Sequence, residues 1–286
     1  LARADDGMAS RARTESKKTM TRGALIFAFN NEKTDYLAMA AWSAERIRSH
    51  LDIPVAVVTD CTDHRRTQGF DHIIHAGATS GGTRWFEDYE SSVTWHNAGR
   101  VDAFNLTPWD HTLVLDADYV VCSDHLNRLW DTNADFLCHK DAWDTKTGKP
   151  LAGLNTFGQH HMPMWWATVM CFKKTNFSQY VFDAMTMVRE NWQHYRDLYN
   201  IDRPTYRNDF ALSIALGIVS GHTNSVDEIP WDLASVLPDT KLTQLDEDYF
   251  AMEYTDSRGV PRTVGISGTD FHAMGKAHLE KIIAAS

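Results

Sequence analysis

Leu113-Val114-Leu115-Asp116-Ala117-Asp118 is the stretch that decides the fold. Thr112 to Leu115 carries no charge and reads as a short buried strand, with Asp116 at its carboxyl end. In open α/β sheets the ligand crevice lies beyond the carboxyl ends of the strands, so both aspartates are expected there. Two carboxylates at i and i+2 can share one divalent cation through hard oxygen ligands. Such a cation can bridge a diphosphate and stabilise the charge it gains as a leaving group. The competing reading is a pair of solvated loop acids.

Working outward, Ala24-Leu25-Ile26-Phe27-Ala28-Phe29 is a second apolar run, ending at Asn30-Asn31. An amphipathic helix follows, with Leu37, Ala40, Ala41, Ala44, Ile47 and Leu51 on one face and Glu45, Arg46 and Arg48 on the other. Val55 to Thr59 is the next strand, stopping at Asp60, and His72-Ile73-Ile74-His75 a short third one. Strand, helix, strand is a βαβ unit with a right-handed crossover. The expected class is therefore α/β, a Rossmann-like, mostly parallel sheet flanked by helices. Asn30, Asp60 and Asp116 are expected to face one crevice.

Downstream the pattern is less regular. Ala76 to Thr83 reads as a Gly- and Ser-rich loop, residues near 94–106 as helical, and Asp141 to Pro163 as a long recognition loop. Trp166 to Lys173 reads as a strand, Asn176 to about Tyr199 as one long helix, and Asp209 to Gly217 as another. A last helix is expected from about Ala273 to Ile283. No internal repeat is visible. Residues 1–22 read as a disordered polar tail and 23–286 as one domain: a nucleotide-binding half over about 23–140, an acceptor half over about 141–270, and a C-terminal helical segment over 271–286.

Composition narrows the function classes. A 286-residue chain with 43% hydrophobic residues can bury a substantial core. Formal net charge is −10, and six basic side chains already lie within residues 1–22, so the body is more acidic still. That argues against a broad nucleic-acid surface, which needs clustered Lys and Arg. Cys61, Cys122, Cys138 and Cys171 form no C-x-x-C pair, so no zinc site reads from spacing, and a reduced, cytoplasmic protein is expected. No apolar run reaches the roughly 18 residues of a membrane span. Ten Trp are enough to offer sugar platforms, although core filling is the plainer use of each, including the Trp165-Trp166 pair. The His160-His161 pair reads as loop surface.

Two other chemistries use the same acids. Leu115-Asp116-Ala117-Asp118-Tyr119-Val120-Val121 also fits the first motif of haloacid dehalogenase-type phosphatases, with Asp116 as nucleophile. That motif usually opens its domain, whereas two strands and a helix precede it here. The late acidic pair is incomplete, because Asp270 has no second acid four residues on. A sugar nucleotidyltransferase normally opens with a Gly-rich basic loop, and Asn30-Asn31-Glu32-Lys33 has no glycine.

Four segments together resemble the GT-A glycosyltransferases, most closely the family 8 pattern. They are Phe29-Asn30-Asn31; Arg100 followed by Thr107-Pro108-Trp109-Asp110-His111 and the Asp-Ala-Asp run; Asn208-Asp209-Phe210-Ala211-Leu212; and Phe271-His272-Ala273-Met274-Gly275-Lys276. The resemblance implies a nucleoside-diphosphate sugar donor, a UDP-sugar first, with Asn30, Asn31 and Asp60 towards the nucleoside. It implies Mn2+ or Mg2+ held by Asp116, Asp118 and His272, and phosphate contacts from Gly275, Lys276 and Arg100. Asp209 is implied near the anomeric carbon, with retention of configuration; its competing reading is a helix N-cap. Two departures stand out. Lys276 follows Gly275 directly rather than three residues later, and Trp166-Ala167-Thr168-Val169-Met170 lacks the family's Asn and Gly. The acceptor is unspecified: a glycan or other hydroxyl compound first, a hydroxymethylated base in DNA second. A non-catalytic sugar-nucleotide binder is a weaker reading.

Overall fold

The computed structural model describes residues 20–86, 89–223 and 225–285. Most of the expected polar tail lies outside the described residues. The elements run β1 (Arg22–Phe27), α1 (Tyr36–Leu51), β2 (Val55–Thr59), α2 (His64–Thr67), β3 (His72–His75), β4 (Thr83–Phe86), β5 (Ser91–Thr94), α3 (Ala103–Leu106), β6 (His111–Leu115) and β7 (Tyr119–Val120). They continue as β8 (Phe136–His139), β9 (Ala142–Asp144), β10 (Lys149–Pro150), β11 (Thr156–Phe157), β12 (Met162–Pro163), β13 (Trp166–Lys173), α4 (Asn176–Glu190), α5 (Trp192–Leu198) and α6 (Asn208–Val219). The chain ends through β14 (Leu233–Val236), β15 (Lys241–Leu245), β16 (Tyr249–Thr255), β17 (Pro261–Ser267), β18 (Phe271–Ala273) and α7 (Lys276–Ile283).

The class is α/β, as expected. The central sheet has the order β3-β2-β1-β6-β13-β8. Its first four strands are parallel, and β13 lies antiparallel to both β6 and β8. β2 and β6 are buried along their whole length and β1 from Gly23 onward, which is why they read as unbroken apolar runs rather than alternating ones. Helix α1 covers one face. Asp35 caps it by accepting from Ala38 N, and it buries Leu37, Ala40, Ala44, Ile47 and Leu51 as expected, with Met39 and Ser43 added. Helices α4 and α6 cover the other face, with Val181, Met185, Leu212 and Ala215 in the second core cluster.

A second sheet, β10-β9-β14-β18-β7, starts where the first ends. The chain leaves the central sheet at Leu115 and enters the second at Tyr119, so Asp116-Ala117-Asp118 is the hinge between them. β9 and β14 come from beyond residue 140 and β7 from before it, so the two expected halves share this sheet. An antiparallel sheet, β15-β16-β17, packs Leu242, Phe250 and Met252 into the main core.

Several boundaries differ from expectation. Residues 94–106 begin as the end of β5, and the helical part is a 3-10 turn over Ala98–Asp102 followed by α3. The long helix after Asn176 breaks at Asn191, whose φ −115 and ψ 35 are not helical. The C-terminal segment 271–286 is not all helix. Phe271–Ala273 pairs with β14 and β7 as a strand, and α7 starts only at Lys276. Within the expected loop 141–163, Ala142–Asp144 is a strand paired to β14.

Burial also sets an acid response. His139 is 1% exposed, and its Nδ1 lies 2.9 Å from the Trp231 carbonyl. Burial pushes its pKa from the ordinary 6.5 down to about 4, partly opposed by that carbonyl. The unfolded chain therefore takes up the proton first as pH falls. The contribution is intact above about 6.5 and is lost on the way to about 4, on the order of 3 kcal/mol in full. His139→Gln is expected to flatten the urea-unfolding stability over that window. A curve as steep as wild type would refute this.

Candidate active site

The register of the second sheet builds the site. In the β7–β18 pair His272 stands opposite Tyr119, and Ala273 N donates to the Asp118 carbonyl at 2.9 Å. An imidazole far along the chain is thereby set beside the hinge acids. Ligand atoms of Asp116, Asp118 and His272 all lie within 4.8 Å of one another. The His272 Nε2 to Asp118 Oδ2 distance is 3.5 Å. Lys276, at the start of α7, forms an ion pair with Asp118, and its Nζ donates to the Met274 carbonyl at 3.1 Å. Asp118 and His272 are buried and Asp116 is half-buried.

Environment separates the two acids. Burial raises the Asp116 pKa above the usual carboxylate range, partly opposed by Arg100. Burial acts in the same sense on Asp118, but Lys276 and then His272 outweigh it and hold that carboxyl well below the usual range. Asp118 is therefore the firmly ionised member. His272 Nδ1 is buried without a hydrogen-bond partner. Two carboxylates and an imidazole with an unpartnered nitrogen fit a divalent cation of the Mn2+ or Mg2+ type, with hard oxygens and one borderline nitrogen.

These groups open into a cavity of about 480 Å³ lined also by Arg100, Lys276 and Asp209. Arg100 is 1% exposed on the 3-10 turn; its Nη1 donates to the Ala167 carbonyl at 2.7 Å and its Nη2 pairs with Asp116. Asp209 is not the N-cap of α6, a position taken by Arg207. It sits in the first turn, accepting from Ala167 N at 3.0 Å and pairing with Arg207 at 2.9 Å. Burial raises its pKa, but Arg207, the Ala167 N–H, Arg84 and His272 together bring it below the ordinary value.

Six of the expected residues thus meet at one cavity: Arg100, Asp116, Asp118, Asp209, His272 and Lys276. Four do not line it. Asn30 braces the entry to α1, donating to Asp35 and accepting from Leu37 N. Asn31 accepts from Lys33 N and Thr34 N in a tight local turn. Asp60 is exposed at the end of β2. Gly275 is buried at the cap of α7 with φ −87, a conformation open to any residue. Trp165 and Trp166 are buried, the latter lining the cavity, and His160 and His161 are exposed around a separate cavity of about 240 Å³.

Sequence reasoning missed one wall, made by Arg84 and Trp85 of β4, Trp95 after β5, and Arg207. Gly81 makes room for it, because a Cβ there would lie 2.1 Å from the Trp95 ring. The one available signal was the Thr83-Arg84-Trp85-Phe86 alternation after two glycines.

No family model and no curated protein matches the chain. Among solved structures it is similar to the galactosyltransferase LgtC in complex with donor and acceptor sugar analogs, at TM-score 0.47 and 16% identity, over 72% of each chain. It is similar to the glycosyltransferase GlyE of Streptococcus pneumoniae TIGR4 at TM-score 0.42 and 12% identity, over 73% of this chain and 45% of that one. The chain therefore spans less than half the length of GlyE. Mouse xyloside xylosyltransferase 1 gives TM-score 0.41 and 12% identity, over 72% and 84%.

Proposed function

We propose that this chain is a metal-dependent glycosyltransferase that moves a sugar from a nucleoside-diphosphate sugar, UDP-linked in the first instance, to an acceptor hydroxyl. The observation that carries the reading is the meeting of Asp116, Asp118 and His272 beside Lys276, in a cavity at the carboxyl end of β6. Asp118 and His272 would hold Mn2+ or Mg2+, with Asp116 sharing it. Bound there, the cation would supply Lewis-acid charge against the departing diphosphate. Lys276 is placed to give its ammonium to a phosphate oxygen once Asp118 is otherwise engaged. Arg100 orients Asp116. Asp209, kept ionised, is the carboxylate we assign to the reacting anomeric carbon, with retention of configuration.

The phosphatase alternative is not favoured. Asp116 is engaged by Arg100 rather than free to attack, and Asp270 accepts from Cys122 N and Ser123 Oγ instead of reaching the cavity. The test is a panel of nucleotide-sugars with and without Mn2+, read as free nucleotide released. Metal-dependent release from one donor is expected, and NMR of the fresh glycoside should show the donor's anomeric configuration. Inorganic phosphate from a phosphomonoester, with no donor turned over, would overturn the reading.

A further inference from the structure

The wall that sequence reasoning missed carries positive charge that the rest of the site does not use. Among the described residues lining the cavity, the carboxylates are Asp116, Asp118 and Asp209, and each already has a cationic partner: Arg100, Lys276 and Arg207 respectively. Arg84 forms no direct ion pair with a described residue, although Asp209 and Asp116 lie near enough to favour its charge. Its guanidinium lies 3.7 Å from the centroid of the Trp95 ring, Nη2 donates to the Tyr206 carbonyl at 3.0 Å, and Nε is buried without a partner. Arg207 Nε is buried without a partner too. Burial and the neighbouring Arg207 both disfavour the charged form of Arg84, while Asp209 offsets part of this. Arg203, exposed and also lining the cavity, adds a further cation with no acidic partner among the described residues.

A half-buried guanidinium that makes no direct ion pair is costly, and a ligand anion would offset more of that cost than the nearby Asp209 does. On the glycosyltransferase reading the donor's diphosphate would be met by the cation held at Asp116, Asp118 and His272 and by Lys276, which leaves Arg84 for a second anion. A guanidinium presents a planar fork that matches a carboxylate. Trp85 lines the same wall and is 63% exposed, so its ring offers an apolar face to a sugar at the mouth.

We propose that the cavity takes a carboxylate-bearing sugar, a uronic acid or similar acidic residue, whose carboxylate is held by Arg84 and Arg207 while Trp85 packs on the ring. This rests on the glycosyltransferase reading, and the acidic sugar is either the acceptor or the residue transferred. The experiment is ligand-observed NMR titration of the full chain in the presence of UDP and Mg2+. Methyl β-glucuronide and methyl β-galacturonide are each compared with the neutral methyl glycoside. In a second arm without UDP, UDP-glucuronate is compared with UDP-glucose.

At least one acidic ligand is expected to bind about tenfold or more tightly than its neutral counterpart. Arg84→Gln is expected to bring that ratio close to unity, and Arg84→Lys to restore part of it. A general loss of packing lowers both affinities together and leaves the ratio unmoved, so the ratio separates recognition from folding. Preference confined to the glycoside arm assigns the anion to the acceptor, and preference confined to the nucleotide arm assigns it to the transferred sugar. Equal binding of acidic and neutral ligands in both arms, or a ratio that Arg84→Gln does not change, overturns the proposal. Absence of metal-dependent nucleotide release would sink the glycosyltransferase reading and still leave this ratio measurable, so the two failures are distinct.

Discussion

Asp118→Ala is expected to lower metal-dependent nucleotide release by about a thousandfold or more, the rate equivalent of several kcal/mol of lost transition-state charge stabilisation. Asp118 is the firmly ionised acid of the group, and both His272 and Lys276 lean on it. On the proposed reading its removal would take one oxygen donor from the cation, and among the described residues it leaves Lys276 with the Ala273 and Met274 carbonyls. The isosteric Asp118→Asn keeps the volume and isolates the charge. It should fall nearly as far in rate while holding its thermal midpoint closer to wild type. Mn2+ affinity, followed by electron paramagnetic resonance, should weaken in both variants. Activity within about tenfold of wild type in Asp118→Asn, with unchanged Mn2+ binding, would remove this residue from the metal site.

Arg100→Leu is expected to be the most damaging single change to stability within the site, by about 3–5 kcal/mol, because it strands one member of a buried ion pair. Arg100 is 1% exposed, Asp116 is its acidic partner, and the Ala167 carbonyl loses its donor as well. In a chain of this size that loss corresponds to a fall in thermal midpoint of roughly 10 °C, readable by circular dichroism. Arg100→Lys keeps a charge but loses the fork, so it should fall between the two. The double variant Arg100→Leu/Asp116→Leu removes both members and should recover much of the loss. A midpoint within about 2 °C of wild type for Arg100→Leu would show that the pair contributes little to the fold.

How much could be read in advance followed from how local the signal was. β1, β2 and β6 are buried on both faces, so their residues form unbroken apolar runs visible without any partner. Helix α1 carried its cap and its stripe in its own residues. β18 was read as helix because three residues hold no period, and their strand geometry comes from Val120, Tyr119, Ser235 and Ala273's pairing with Val236. The break between α4 and α5 was hidden for a similar reason, since neither a proline nor a glycine marks Asn191. Asn30 and Asn31 were read as ligand contacts from their place after β1, yet their amides serve the turn into α1. A polar residue at a strand end has both options, and side-chain to backbone bonding within a turn competes directly with ligand binding.

By itself, the sequence determined the α/β class and the position of the acidic pair beyond a buried strand. Apolar runs and short-range spacing are properties of the chain alone, and they reached Asp116 and Asp118; Arg100, Asp209, His272 and Lys276, which meet them at the cavity, were implied only by the family resemblance. Tertiary structure decided their company. Pairing of β7 with β18 set His272 against Asp118, the 3-10 turn gave Arg100 to Asp116, and β4 brought Arg84 to the Tyr206 carbonyl. Each of those contacts joins residues that no local pattern relates. They exist because burying two sheets and their helices together leaves those polar groups one shared space in which to satisfy one another.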